Sequence, residues 1–364
     1  MSAAHPPKTS APAVLEVSGL TKHFPLGGGF LQRSNGAVPA VSDVSFSVSG
    51  GETLAIVGES GCGKSTTGRA LLRLLEPTSG TIKLDGEDIS TIPPYRLQAL
   101  RRNMQMVFQD PFGSLNPRMT VRETLLEPLL LHGIASGTRA TETVNKLLVR
   151  VGLAPHHADR YPHEFSGGQR QRICIARAIS TRPRLIVCDE PVSALDVSVQ
   201  AQIVNLMQDL QRDFGMAYVF ISHDLSVVRH IADRVAVMYL GRIVEEAPAE
   251  TLFADPRHPY TRALIQAAPR PVPGLRAATE PPRGEAPSAL NPGPGCSFCT
   301  RCPLASDLCR NTRPEIGTVD GGPTRIACHH ADQRADMVFA PAAPPSAALA
   351  ARLAVMANAR GATP

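Results

Sequence analysis

Three short apolar runs predict an α/β fold built on a parallel sheet. They are Thr53-Leu54-Ala55-Ile56-Val57, Leu185-Ile186-Val187-Cys188 and Tyr218-Val219-Phe220-Ile221. The first ends in a glycine-rich turn and the other two lead into charged residues. Strands buried on both faces look like this when they deliver groups to a site at their C-terminal ends.

The remaining elements follow in chain order. Residues 1–13 hold three prolines and no periodic pattern, and read as a flexible arm. Leu15-Glu16-Val17 and Val44-Ser45-Phe46-Ser47-Val48 alternate apolar and polar, as half-buried strands do. Gly27-Gly28-Gly29 opens a long polar loop that runs to Asn35-Gly36. Residues 66–75 read as a helix with Ala70, Leu71, Leu74 and Leu75 on one face, and 96–160 as mostly helical and more polar. Residues 235–244, with Gly241-Arg242 in the middle, read as a hairpin. One unit therefore spans 14–268. The eight prolines of 269–295 mark a linker. A cysteine-rich segment occupies 296–335, and an Ala/Pro-rich tail occupies 336–364, with a short helix at 347–359. No internal repeat is present.

Composition narrows the class. The chain has 364 residues, 43% of them hydrophobic, and a net charge of +5. That length suits about two domains, and the apolar fraction excludes wholesale disorder. The small charge excess gives no reason to expect a nucleic acid partner. No apolar stretch is long enough to cross a bilayer, and the first residues lack the apolar core of a signal peptide, so a cytosolic chain is expected. Five of the eight cysteines, Cys296, Cys299, Cys302, Cys309 and Cys328, crowd into one segment. In a cytosolic chain such a cluster reads as metal-binding or redox-active.

Gly58-Glu59-Ser60-Gly61-Cys62-Gly63-Lys64-Ser65 matches G-x-x-x-x-G-K-[ST] between a strand and a helix. Its glycines let backbone N–H groups turn inward onto phosphate oxygens, and the helix N-terminus adds positive potential. Lys64 is expected to bridge the β- and γ-phosphates and Ser65 to ligate Mg²⁺, with Thr66 following in the same cradle. Asp189 ends the second apolar run and can hold the Mg²⁺ shell. Glu190 beside it is placed to accept a proton from an attacking water. The plainer readings are a glycine-rich turn with a chance lysine and a strand that ends in two solvated acids.

Further motifs stand in a set order. Gln109 lies in Met106-Val107-Phe108-Gln109-Asp110, Ser166-Gly167-Gly168-Gln169 precedes Arg170-Gln171-Arg172, Ser193-Ala194-Leu195-Asp196 follows Glu190, and His223 follows the third run. The ordered set resembles the ATP-binding cassette (ABC) ATPases over residues 14–268. The segments Pro111-Phe112-Gly113-Ser114-Leu115-Asn116-Pro117 and Arg257-His258-Pro259-Tyr260-Thr261-Arg262 are similar to those of the oligopeptide/dipeptide permease ATPases. The loop at 27–40 and the stretch 68–80 resemble the F-type subunit rather than its D-type partner.

The resemblance implies a P-loop NTPase cassette. Its RecA-like core would carry an antiparallel β subdomain, a helical signature subdomain at 110–175 and a small Cys-rich C-terminal module. It also implies an ATPase that powers peptide import, peripheral on the cytoplasmic face of the membrane. Phe24 falls where the family stacks an aromatic on adenine; a core aromatic is the other reading. Gln109 would reach Mg²⁺ and the attacking water. His223 would contact the γ-phosphate and align Glu190, unless it is a core histidine. Ser166, Gly167, Gly168 and Gln169 would meet ATP bound on an opposite subunit. Asp196 would cross the dimer interface, or else cap a helix. The implied partners are a second, D-type cassette, two transmembrane permease subunits and, indirectly, an extracytoplasmic solute-binding protein, with no nucleic acid.

Cys296-x5-Cys302-x6-Cys309-x18-Cys328 resembles the family's C-terminal extension, where such cysteines can carry a [4Fe–4S] cluster. Cys299 stands where the family more often has His, and forms a C-x2-C with Cys302, a zinc spacing. Iron–sulfur, zinc and no metal all remain open. Cys174 and Cys188 read as core residues, and Cys62 as a reactive thiol in an electropositive loop. The alternative function, a soluble cassette acting on nucleic acid or in Fe–S assembly, calls for paired cassettes, a coiled-coil insertion or metal fingers inside the cassette. None is visible.

Overall fold

A computed structural model describes residues 12–25, 36–267, 293–319 and 321–333. Most of the expected arm, the glycine-rich loop after Pro25, nearly all of the 269–295 linker and the 336–364 tail lie outside the described residues. In chain order the strands are β1 (Ala13–Pro25), β2 (Ala37–Ser49), β3 (Thr53–Val57), β4 (Ser79–Leu84), β5 (Glu87–Asp88), β6 (Met104–Val107), β7 (Leu185–Asp189), β8 (Ala217–Ile221), β9 (Arg234–Tyr239), β10 (Arg242–Pro248), β11 (Gly317–Thr318) and β12 (Arg325–Ile326). Among the described residues they form an antiparallel sheet β2-β1-β4-β5 and a larger sheet β11-β12-β10-β9-β3-β8-β7-β6. Strands β9, β3, β8, β7 and β6 run parallel.

The predicted central strands are apolar throughout because both their faces are covered. Leu54 and Ile56 of β3 pack toward β1 and β2, while Ala55 and Val57 pack into a second core with β9 and β10. In β7 and β8, Ile186, Cys188, Tyr218 and Phe220 face the helices. Leu185, Val187, Val219 and Ile221 face the antiparallel sheet. Two-sided burial removes the alternation that marks an exposed strand. The helices Val121–Leu131 and Gly137–Arg150 pack their apolar stripes against Gly167–Ile179 in the helix-side core. Thr120 starts the first of these with a reciprocal capping box to Glu123.

Several expectations shift. The helix expected at 66–75 runs Lys64–Leu71. Arg73 then turns the chain at φ 47°, its guanidinium donating to the carbonyls of Ile89 and Ile92, and Leu74 is left exposed. The stretch read as mostly helical contains β6, a four-residue strand at the end of the parallel set, too short to show a period. The hairpin at 235–244 is present, turning through Leu240 and Gly241 at φ 42° and 82°, the left-handed pair that a two-residue turn needs.

The cysteine-rich segment is built onto the main sheet rather than standing apart. β12 pairs with β10, and Arg325 donates to Glu246 at 3.0 Å. Phe298, 1% exposed, packs its ring 5.4 Å from Tyr239 and 5.5 Å from Tyr260. A segment this small has little core of its own, so it borrows apolar surface from its neighbour.

Candidate active site

Strand β3 delivers its chain into a tight loop. Gly58 has φ 155° and Gly63 has φ 105°. A Cβ on Gly58 would lie 2.1 Å from the Met238 carbonyl oxygen, and one on Gly63 would lie 2.2 Å from that of Ala40. Only glycine fits either place. Gly63→Ala should therefore destabilise the fold by about 1–3 kcal/mol, read as a lowered Tm.

Lys64 opens the following helix and is 5% exposed. Its ammonium donates to the carbonyls of Gly58 at 2.8 Å and Glu59 at 2.9 Å, so it lies folded over the loop it would share with phosphate. Ser60 and Gly61 at the loop tip are exposed, and Thr66 is half-buried. Ser65 Oγ donates to Asp189 Oδ1 at 2.7 Å, joining the first turn of the helix to the end of β7. Asp189 is 2% exposed, and burial pushes its carboxyl up against the opposing hydrogen bond from Ser65. A buried carboxylate facing a hydroxyl suits a divalent cation, which would supply the missing charge.

Glu190 turns sharply at φ 47°, and its amide donates to the Ile221 carbonyl at the end of β8. That turn places its carboxylate between two groups. Gln109, just past β6, donates from Nε2 to Oε2 at 3.0 Å, and His223, just past β8, brings Nδ1 within 3.2 Å of Oε1. Three parallel strand ends and the phosphate loop thus converge. His223 is 57% exposed and Phe24 is 37% exposed, so neither is a core residue. Gln109 reaches Glu190, with no bond to Ser65 or Asp189.

Ser166 caps the helix Gly167–Ile179 through a capping box with Gln169, and Ser166 and Gly167 are exposed. Gly168 is needed there because a Cβ would meet Val199 Cγ1 at 2.5 Å. Asp196 holds the N-cap position of Val197–Phe214 but makes no capping bond with its side chain, and it is exposed. Capping therefore does not account for its carboxylate.

The cysteine expectations need correction. Cys62 is 4% exposed, and burial pushes its thiol up despite the nearby Lys64. It is a packed thiol rather than a reactive one, and iodoacetamide should leave it unmodified in the native protein by mass spectrometry. Cys296, Cys299, Cys302, Cys309 and Cys328 line one cavity of about 10 Å³. Among the described residues no three His, Cys, Asp or Glu groups are arranged to hold a metal ion. The [4Fe–4S] and zinc expectations at Cys296, Cys302, Cys309 and Cys328 thus find no support. Burial, with the neighbouring cysteines, pushes the Cys296 and Cys302 thiols up to about 11.

Sequence reasoning missed three residues beside the loop. The Glu59 amide donates to Tyr260 Oη at 2.8 Å, and Arg301 donates from both terminal nitrogens to the Glu59 carboxylate at 3.1 Å. Glu59 stands at a position the loop motif leaves open, and its partners are some 200 and 242 residues away in the chain, so no spacing could signal them.

The fold and this site define a nucleotide-binding cassette of the ABC type. A model of the ABC transporter family matches residues 41–193, and one of the oligopeptide/dipeptide transporter C-terminal region matches 244–309. The chain is 52% identical over 337 residues to the probable peptide ABC transporter ATP-binding protein y4tS of Sinorhizobium fredii, covering 93% of this chain and 95% of that one. It is 52% identical over 322 residues to the oligopeptide transport ATP-binding protein AppF of Bacillus subtilis, covering 87% and 97%. It is 49% identical over 320 residues to the di/tripeptide transport ATP-binding protein DppF of Pseudomonas aeruginosa, covering 88% and 98%. A solved dimer of an ATP-binding cassette in a post-hydrolysis state, bound to ADP and Pi, superposes with a TM-score of 0.58 at 28% identity, over 65% of this chain and 98% of that one. The chain belongs to the peptide-transport ATP-binding proteins of the ABC transporter family.

Proposed function

We propose that this chain is the ATP-hydrolysing subunit of a peptide importer. The observation that carries the chemistry is the Glu190 carboxylate, held by Gln109 and His223 beside the Ser65–Asp189 pair. The peptide assignment rests on the relatives' named roles and the matching C-terminal region. Nothing favours the nucleic acid or Fe–S assembly alternative.

The loop amides from Gly58 to Ser65 take the β- and γ-phosphates, and Lys64 leaves the Gly58 and Glu59 carbonyls to join them. Ser65 and Asp189 would hold Mg²⁺, with Gln109 reaching it on rearrangement; its charge, when bound, offsets that of the phosphates. Glu190 accepts a proton from water, and His223 fixes the orientation of that carboxylate. Phe24 stacks on adenine. Ser166, Gly167, Gly168 and Gln169, with Asp196 nearby at the interface, complete the site of a second cassette. Losing the γ-phosphate removes contacts that hold the two cassettes together.

Among the described residues no helix is long and apolar enough to cross a membrane. We assign the membrane path to two permease subunits. The second cassette is a D-type chain, a solute-binding protein supplies the cargo, and the complex places this subunit on the cytoplasmic face. Co-purification of a tagged chain with two membrane proteins and a different cassette tests the assembly; a chain recovered alone from detergent extracts would oppose it. Phe24→Ala should raise KM for ATP about tenfold and leave kcat nearly unchanged, as loss of one stacking contact requires.

A further inference from the structure

The cysteine-rich segment reaches the phosphate loop directly. Its turn, in which the Cys299 amide donates to the Cys296 carbonyl and the Cys302 amide to the Cys299 carbonyl, carries both Phe298 and Arg301, whose guanidinium lies 5.7 Å from the centre of the Phe298 ring. Phe298 is anchored in the core against Tyr239 and Tyr260. Arg301, with a side chain 10% exposed, spans to Glu59 with two equal bonds of 3.1 Å, and Nη1 also donates to Tyr239 Oη at 3.4 Å. Glu59 is thus held twice, by Arg301 at its carboxylate and by Tyr260 at its amide. Its carbonyl is one of the two carbonyl acceptors for Lys64.

We infer that Arg301 is a positioning residue for the nucleotide site, a strap by which the C-terminal segment holds the phosphate loop in its binding shape. Two effects give the same sign. A bidentate guanidinium–carboxylate pair restricts the loop before ligand arrives, which lowers the ordering cost of binding. It also neutralises a carboxylate that otherwise stands in the loop meant for a polyanion. Arg301 touches no phosphate in this scheme and acts only through Glu59. The inference rests on the nucleotide-site reading.

The test is a double-mutant cycle on the full chain, read by fluorescent MANT-ATP binding and by ATP turnover. Arg301→Met should raise the Kd for MANT-ATP about tenfold with kcat little changed, because the strap acts on binding rather than on Glu190. Arg301→Lys should recover part of that loss. Glu59→Gln removes the naked charge, so Arg301→Met added to it should cost less than about twofold. Additive losses, or an unchanged Kd in Arg301→Met, would overturn the strap. A drop in Tm shared by Arg301→Met in both backgrounds, with equal losses of binding, would likewise reduce Arg301 to a packing role and overturn it. Wild-type protein that binds no MANT-ATP would overturn the nucleotide reading itself, and is told apart because it needs no variant.

Discussion

Glu190→Gln keeps ATP binding and lowers turnover by about 10²–10⁴-fold, the range a positioned general base contributes. The substitution is nearly isosteric. The amide oxygen still accepts from Gln109, and the backbone turn at φ 47° with its bond to Ile221 does not depend on the side chain. What disappears is the carboxylate held between Gln109 and His223. Ser65 keeps its bond to Asp189 and Lys64 its bonds to the loop carbonyls, so the Kd for ATP should stay within about twofold of wild type. Steady-state phosphate release and equilibrium nucleotide binding check both halves. Turnover within about threefold of wild type would remove Glu190 from the mechanism.

Lys64→Ala acts on the other half of the cycle. Lys64 is 5% exposed and its ammonium is bonded to two loop carbonyls, so it is already largely out of bulk water when phosphate arrives. Exchanging carbonyl partners for phosphate oxygens converts neutral acceptors into charged ones, which strengthens each bond. Removing it should raise the Kd for ATP about a hundredfold, close to 2.7 kcal/mol. Lys64→Arg should not rescue, because a planar guanidinium does not fit the slot beneath Gly58 and Glu59. Isothermal titration with ATP measures the loss; affinity within about threefold of wild type would contradict the assigned role.

Much of this site is legible in the chain because its parts are short and local. The loop 58–65 declares itself, since Gly58 and Gly63 sit where a Cβ would collide with backbone and Lys64 must follow directly. Asp189 and Glu190 can be read from the apolar run before them. The likeness to a family implies that His223 aligns Glu190 but assigns Gln109 to Mg²⁺ and water; its contact with Glu190, 81 residues away, comes from the structure alone. The strand β6 hid in a stretch of helical composition. The cysteines are less legible for a different reason: their spacing carries the chemistry of ligands, while ligation depends on where thiols point after packing.

By itself the sequence determined a parallel α/β sheet, a phosphate loop at one strand end and two acids at another. Those features are set by local steric rules and by burial on both faces, which act within a few residues. Only the tertiary structure decided that Glu190 lies between Gln109 and His223, that the C-terminal hairpin joins the main sheet at β10, and that Arg301 closes on Glu59 from 242 positions away. Such pairs are selected by the shape of the assembled core, and contacts of that range leave no periodicity in the chain to read.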